Sequence, residues 1–322
     1  MSATLDRPPA PDPEPLPATV PDSHCHLDMM GGPVAPVLAQ AARSGISRVV
    51  TVGCDVPSSV WAADCAAQHD SVIAAVAIHP NETAAAAAGP GGRDGVLAQI
   101  ADLAAQPRVR AIGETGLDYY RDSAPPPVQQ DWFRAHIDIA KAAGKALMIH
   151  DRDAHEDVLA ILARRGAPEH VIFHCFSGDE AMARRCAEAG YLLSFAGTLT
   201  FPSAPGLRAA AAAVPPELLL VETDAPFLAP VPARGKLNAP ALTAHTLRAL
   251  AAVRGTDAAA MCEIVSRNAE RVFGAWKRRP RCSGPVTSGR WPRGWASCRP
   301  SASARTLSST AGRFPGSRRR PG

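Results

Sequence analysis

Eight short apolar runs recur between residues 19 and 223, and few folds tolerate that pattern. They cover 19–22, 48–54, 72–79, 109–114, 146–150, 171–175, 191–195 and 218–223. Their near-continuous Val, Ile, Leu and Ala character predicts strands buried on both faces, as in parallel sheets. Segments 57–68, 93–105, 127–143, 154–165 and 179–189 between them read as helices, and Gly45, Gly144, Gly166 and Gly190 stand where helices are expected to end. Eight alternations predict an α/β fold, a (β/α)8 TIM barrel, rather than an open doubly wound sheet. Neither a Gly-x-Gly-x-x-Gly nor a Gly-x-x-x-x-Gly-Lys loop is present, which argues against a nucleotide-binding fold.

In such barrels the chemistry sits at the C-terminal ends of the strands. That is where this chain places ligand-type side chains: Glu114, His150, His174 and Glu222-Thr223-Asp224 follow apolar runs, and His79 closes another. The first run leads into His24-Cys25-His26, whose imidazoles share one face of an extended strand. One such histidine alone reads more readily as a satisfied structural residue; recurrence over six strands is harder to dismiss.

Two divalent cations about 3.5–4 Å apart need an anion between them. Glu114 is the expected bridge, with one ion on His24, His26, Glu114 and Asp224 and the other on Glu114, His150 and His174. Glu114 and Asp224 are also the expected catalytic residues, with Asp224 taking or orienting the proton of an activated water. Glu222 or Asp28 could support a ligating imidazole, and either could equally be an ordinary carboxylate. Such sites accept Mg²⁺, Mn²⁺ or Zn²⁺, so the identity of the two ions stays open.

The two ends differ from this body. Residues 1–19 are rich in proline and are expected to be a disordered, solvated lead-in. Residues 277–322 hold 12 of the 34 Lys and Arg and none of the 30 Asp and Glu, so residues 1–276 carry 34 − 12 = 22 basic against 30 acidic side chains. With only Val286 and Leu307 as aliphatic side chains larger than alanine, the tail is expected to be disordered. It reads either as out-of-frame text from a GC-rich gene, the reading favoured by its abrupt onset, or as a basic arm for nucleic acid. The domain proper is thus expected at 20–276. The eight cysteines form no dense framework, no apolar run of signal type opens the chain, and the run at 72–78 is too short to cross a bilayer. A cytoplasmic protein with no membrane association is expected.

Six motifs carry a family resemblance. They are Asp22-Ser-His-Cys-His-Leu-Asp28, Gly113-Glu-Thr-Gly-Leu-Asp-Tyr-Tyr-Arg121, Ile149-His-Asp-Arg-Asp-Ala154, Phe173-His-Cys-Phe-Ser-Gly178, Gly197-Thr-Leu-Thr-Phe201 and Glu222-Thr-Asp-Ala-Pro-Phe-Leu-Ala-Pro230. In this order they resemble the TatD family of metal-dependent deoxyribonucleases, from about Val20 to Gly274. The resemblance implies an amidohydrolase-type barrel, a divalent-metal site and cleavage of DNA phosphodiesters, often from the 3′ end. It carries metal roles onto His24, His26, Glu114, His150, His174 and Asp224. Three positions depart from the family pattern: Asn81 where a second histidine is frequent, Ala239 where a carboxylate is usual, and Asp151 where a small residue is common.

DNA is therefore the expected partner, with no obligate protein partner. His79, Arg121, Arg152, Arg234 and Lys236 are the expected substrate contacts, although each cation could be an ordinary surface charge. Two rivals remain: another hydrolysis on the same metals, such as D-aminoacyl-tRNA deacylation, and a metal-containing binding protein without turnover.

Overall fold

The computed structural model describes residues 7–121 and 123–276; the tail at 277–322 lies outside the described residues. Eight strands, β1 (Val20–Cys25), β2 (Ile46–Val52), β3 (Val72–Val76), β4 (Val109–Asp118), β5 (Ala146–Arg152), β6 (Val171–Phe173), β7 (Leu192–Phe195) and β8 (Leu219–Val221), form one sheet in sequence order. All seven neighbouring pairs are parallel. Just past β8, Asp224 N donates to His24 O (2.9 Å) and His26 N donates to Ala225 O (2.8 Å), bringing the sheet back to β1. The buried Asp22 carboxylate adds to this seam by accepting from Thr223 N (2.9 Å) and Thr223 Oγ1 (2.5 Å). The chain is a TIM barrel, as the eight apolar runs require.

The connections supply the outer layer: α1 (Val34–Arg43), α2 (Val56–Gln68), α3 (Thr83–Ala88), α4 (Gly92–Ala104), α5 (Pro126–Ala143), α6 (His155–Arg165), α7 (Glu180–Glu188), α8 (Pro205–Ala213), α9 (Thr243–Val253) and α10 (Ala258–Phe273). Local chemistry sets several starts. Asp55, Asp179 and Asp257 each accept a hydrogen bond from a backbone amide in the first turn of α2, α7 and α10. The longest of these helices, α5, buries Trp132, Phe133, Ile137 and Ala140, which repeat with helical spacing.

Two expectations change. Strands β4 and β5 do not stop at Glu114 and His150 but run on to Asp118 and Arg152. Between the pairs Ile112–Leu147 and Thr115–Ile149, β4 has three steps where β5 has two, a bulge that re-aims Glu114. Gly116 makes the close approach possible: its φ is 142°, and a Cβ there would lie 2.1 Å from His150 O. The described part of the lead-in is also not free in solvent. It has no helix or strand before Val20, yet Leu16 is buried, Leu237 N donates to Pro8 O (2.9 Å), and Arg248 donates to the carbonyls of Glu14 and Pro15. Its prolines leave carbonyls unpaired, and the barrel's side chains and amides use them.

Candidate metal centre

The carboxylate of Glu114 lies between two groups of imidazoles. Its Oε1 is 3.4 Å from His26 Nε2 and 3.8 Å from His24 Nε2, while its Oε2 is 2.7 Å from His174 Nε2 and 3.3 Å from His150 Nδ1. Asp224 joins the first group, with Oδ1 3.6 Å from His24 Nε2 and 3.5 Å from His26 Nε2. The two imidazole nitrogens of that group are 3.3 Å apart, as are His150 Nδ1 and His174 Nε2 in the second. Asp224 reaches inward from a left-handed backbone (φ 53°), a conformation that non-glycine residues hold only where their surroundings impose it. All six residues expected to bind metal converge here.

The outer nitrogens fix what the inner ones offer. His26 Nδ1 faces Val52 O at 3.1 Å, and a carbonyl only accepts, so Nδ1 carries the proton and Nε2 presents a lone pair. His24 Nδ1 faces Met148 Sδ at 3.1 Å with the same result. His150 is turned the other way: Nε2 donates to Asp118 Oδ2 (3.2 Å), which leaves the Nδ1 lone pair inside. His174 Nδ1 lies 3.4 Å from Glu222 Oε1, an acceptor that also takes the Cys175 amide at 2.7 Å. Four imidazole lone pairs and the oxygens of Glu114 and Asp224 therefore point at one another, with acceptors facing acceptors. Such a set needs protons or cations among its members, and most of its spacings lie near the roughly 3.4 Å ligand edges of a tetrahedron with 2.0–2.1 Å metal–ligand bonds. The residues fit divalent cations.

The charges divide the group: although burial opposes it, Cys54 and Asp224 raise His26, Asp118 and Glu114 raise His150, and Glu114 and Glu222 raise His174, so without cations these rings favour the protonated form. Burial alone would raise the Glu114 carboxyl, but the surrounding imidazoles of His174, His79 and His150 hold it well below the usual range. Burial, joined by the neighbouring imidazole of His174, drives His24 well below its ordinary value and keeps it neutral, as a ligand must be. Burial opposes the charge of Asp118, yet hydrogen bonds from His150, Asn81 and the Arg121 amide hold its carboxylate low.

His79 is different. Its Nδ1 accepts from Asn81 N (3.1 Å), so Nε2 carries a proton and points it toward Glu114 Oε2, 3.8 Å away. Burial lowers its pKa to about 3, so the ring stays neutral. His79 is near enough to be counted with the ligands, but in this tautomer it presents a donor, which suits an anionic oxygen of a substrate.

The remaining expected contacts lie apart from the donor set. The Arg152 guanidinium packs 3.9 Å over the exposed Tyr120 ring, and that of Arg234 packs 3.9 Å over Phe201. Arg121 is exposed, Lys236 is half-buried, and none of the four cations reaches the donor set in an ion pair or hydrogen bond. Asp28 pairs with no imidazole, and its Oδ1 is buried without a hydrogen bond. Of the three departures, Asn81 works twice, its amide N–H holding His79 and its Nδ2 donating to Asp118 (3.0 Å). Asp151 binds His155 (2.8 Å), and Ala239 is buried beside Asn238.

Sequence reasoning missed Asp118, Met148 and Cys54. Asp118 had a signal, since it lies four residues beyond Glu114 and positions i and i+4 of a strand share a face. Met148 reads as an ordinary core residue. Cys54 lies 3.5 Å from Glu114 Oε1; burial pushes its thiol up to about 12, so it stays protonated and donates. Cys25 points the other way, toward Val50 O.

A barrel with this donor set at the carboxyl ends of its strands defines the class of metal-dependent hydrolases. Comparison with known proteins narrows the class: the family described as TatD related DNase matches residues 21–274, and this chain belongs to it. The uncharacterized metal-dependent hydrolase TatD of Mycobacterium tuberculosis is 44% identical over 267 residues, spanning 80% of this chain and 99% of that protein. The uncharacterized hydrolase YabD of Bacillus subtilis is 36% identical, spanning 78% and 98%. Among solved structures, the TatD homolog YJJV of Escherichia coli superposes with a TM-score of 0.74 at 26% identity, covering 80% of this chain and 98% of its own.

Proposed function

We propose that this metal-dependent hydrolase cleaves phosphodiester bonds of DNA, releasing nucleotides from the 3′ end, with two divalent cations held by the donor set. The observation that carries the reading is the division of the Glu114 oxygens, Oε1 toward His24 and His26 and Oε2 toward His150 and His174. His24, His26, Glu114 and Asp224 would hold one ion; Glu114, His150 and His174 would hold the other. When bound, the ions supply Lewis acidity, lowering the pKa of water and neutralising phosphate charge.

The chain's own residues supply the rest. Asp224, the most exposed of the four residues in its group at 15% side-chain exposure against 0% for His24, 3% for His26 and 5% for Glu114, is placed to take the proton of the attacking water. As the P–O ester bond breaks, a phosphomonoester and an alcohol result. His79 Nε2–H would bind a non-bridging phosphate oxygen, and Glu222 and Asp118 keep His174 and His150 in the tautomers that face inward. Arg152 and Lys236, in or beside motifs at the mouth, would meet the flanking phosphates.

The reading is tested with purified, metal-loaded protein on 3′-labelled single- and double-stranded DNA, RNA and aminoacyl-tRNA. Loss of 3′-terminal nucleotides from DNA, abolished by Glu114→Ala, is expected. Aminoacyl ester hydrolysis without DNA cleavage, or DNA cleavage intact in Glu114→Ala, would overturn it.

A further inference from the structure

At the opposite, amino-terminal end of the strands lies a cavity of about 490 Å³ in which cations gather without carboxylate partners. Arg110 opens β4, Lys145 and His170 immediately precede β5 and β6, Lys141 lies in the last turn of α5, and Arg271 lies in the last turn of α10. The one acidic residue on its wall is Glu169, whose side chain is 91% exposed and 3.9 Å from His170.

None of the four permanent cations is paired with a carboxylate. Lys145 Nζ donates to Val109 O (2.8 Å), Lys141 Nζ to Arg165 O (3.0 Å) and Arg271 to Glu217 O, all carbonyls. The Nε of Arg110 is buried with no hydrogen-bond partner among the described residues. An adjoining groove between α4, α5 and α6 shows the ordinary arrangement, with Arg93 on Asp131 (2.6 Å) and Arg165 on Asp138 (2.8 Å). In a body with more acidic than basic side chains, four convergent unpaired cations have to be explained. Burial, reinforced by the like charge of Arg110, lowers the pKa of Lys145, so the apo cavity carries an electrostatic cost that an anion would relieve.

We propose that this cavity is a binding site for a small anion bearing two or more phosphate groups. Its volume falls in the range of small-molecule sites, about 300–1,000 Å³, and exceeds what one inorganic phosphate fills. A guanidinium fork with a free Nε–H matches phosphate oxygens in bidentate fashion, and the two lysines add point charges beside it. The site shares its three strands with the second donor group: Arg110 and Glu114 lie on β4, Lys145 precedes β5 and His150 lies within it, and His170 and His174 flank β6. Each pair is four or five residues apart, roughly 13–17 Å at 3.3 Å per residue, so the ligand would be distinct from a substrate at the metals. The proposal does not depend on the DNA reading.

Calorimetric titration of the metal-loaded full chain with inorganic pyrophosphate, phosphate and citrate, repeated in EDTA, tests it. Pyrophosphate is expected to bind in both conditions and more tightly than phosphate or citrate. Arg110→Gln and Lys145→Gln should each weaken it about tenfold or more. Without anion, Arg110→Gln should melt no lower than the parent, because it removes a repulsion and no hydrogen bond, and its hydrolytic activity should be unchanged. Binding that vanishes in EDTA, that survives both substitutions, that citrate matches, or that is absent would overturn the proposal.

Discussion

At the scale of single residues, the centre depends on where each imidazole keeps its proton. His24, His26 and His174 turn Nε2 inward and His150 turns Nδ1 inward: Met148 sulfur, Val52 O and Asp118 hold the opposite nitrogens of His24, His26 and His150, and Glu222 Oε1 lies 3.4 Å from that of His174. Asp118 is the strongest of these holders, with a carboxylate that also accepts from Asn81 and from the amides of Tyr120 and Arg121. Asp118→Asn keeps the shape and removes the charge, and an amide can present a donor to His150 Nε2 instead of an acceptor. It is expected to weaken metal binding by about 10–100-fold, with little change in the melting of the metal-free protein. Equilibrium titration with Mn²⁺ measures this; unchanged affinity would show that Asp118 does not set the His150 tautomer.

At the scale of elements, the six converging residues were legible because each lies next to a run of buried aliphatic residues, and that arrangement survives in linear sequence. The orienting residues were less legible. Asp118 was hidden because β4 was expected to end at Glu114, and the bulge at Gly113-Glu114 that lets the strand continue is a tertiary accommodation to β5. Met148 is chosen by contact across the barrel, with His24 124 residues away in sequence. The lead-in was misjudged because composition reports what a proline-rich segment lacks and not which groups elsewhere use its carbonyls.

A buried histidine joins α5 to the strands. His136 Nε2 accepts from Ile78 N (3.2 Å) and Nδ1 faces Thr115 Oγ1 (3.0 Å), a pairing that requires the neutral ring, and burial lowers its pKa to about 4. Below the unfolded value of 6.5 the unfolded chain takes up a proton that the folded chain refuses. Stability from this residue is therefore complete above about pH 6.5 and declines as pH falls toward 4, by about 3 kcal/mol in all. His136→Gln can keep both hydrogen bonds without titrating. The difference between denaturation curves of the two proteins, measured from pH 7.5 to 4.5, should move in favour of the variant as pH falls; a constant difference would refute the assignment.

At the scale of the molecule, one barrel presents two chemically opposite ends. The carboxyl ends of the strands gather lone pairs that call for cations, and the amino ends of β4, β5 and β6 gather cations that call for anions. Among the described residues no helix is long and apolar enough to cross a membrane. The fold was readable because eight buried strands in a row leave few alternatives. The charge at the amino ends was not, because Arg110, the neighbouring Lys141 and Lys145, and Arg271 are far apart in sequence and converge only once the barrel closes.

The central claim is that Glu114 joins two cation sites, one through each oxygen. Metal content after equilibration with Mn²⁺ and gel filtration, measured by elemental analysis on the parent protein and on Glu114→Ala, tests it most directly. Two ions per chain are expected in the parent and one or none in the variant, with both proteins showing the same far-ultraviolet circular dichroism. Two ions retained in Glu114→Ala, or a single ion in the parent that the substitution leaves in place, would contradict it.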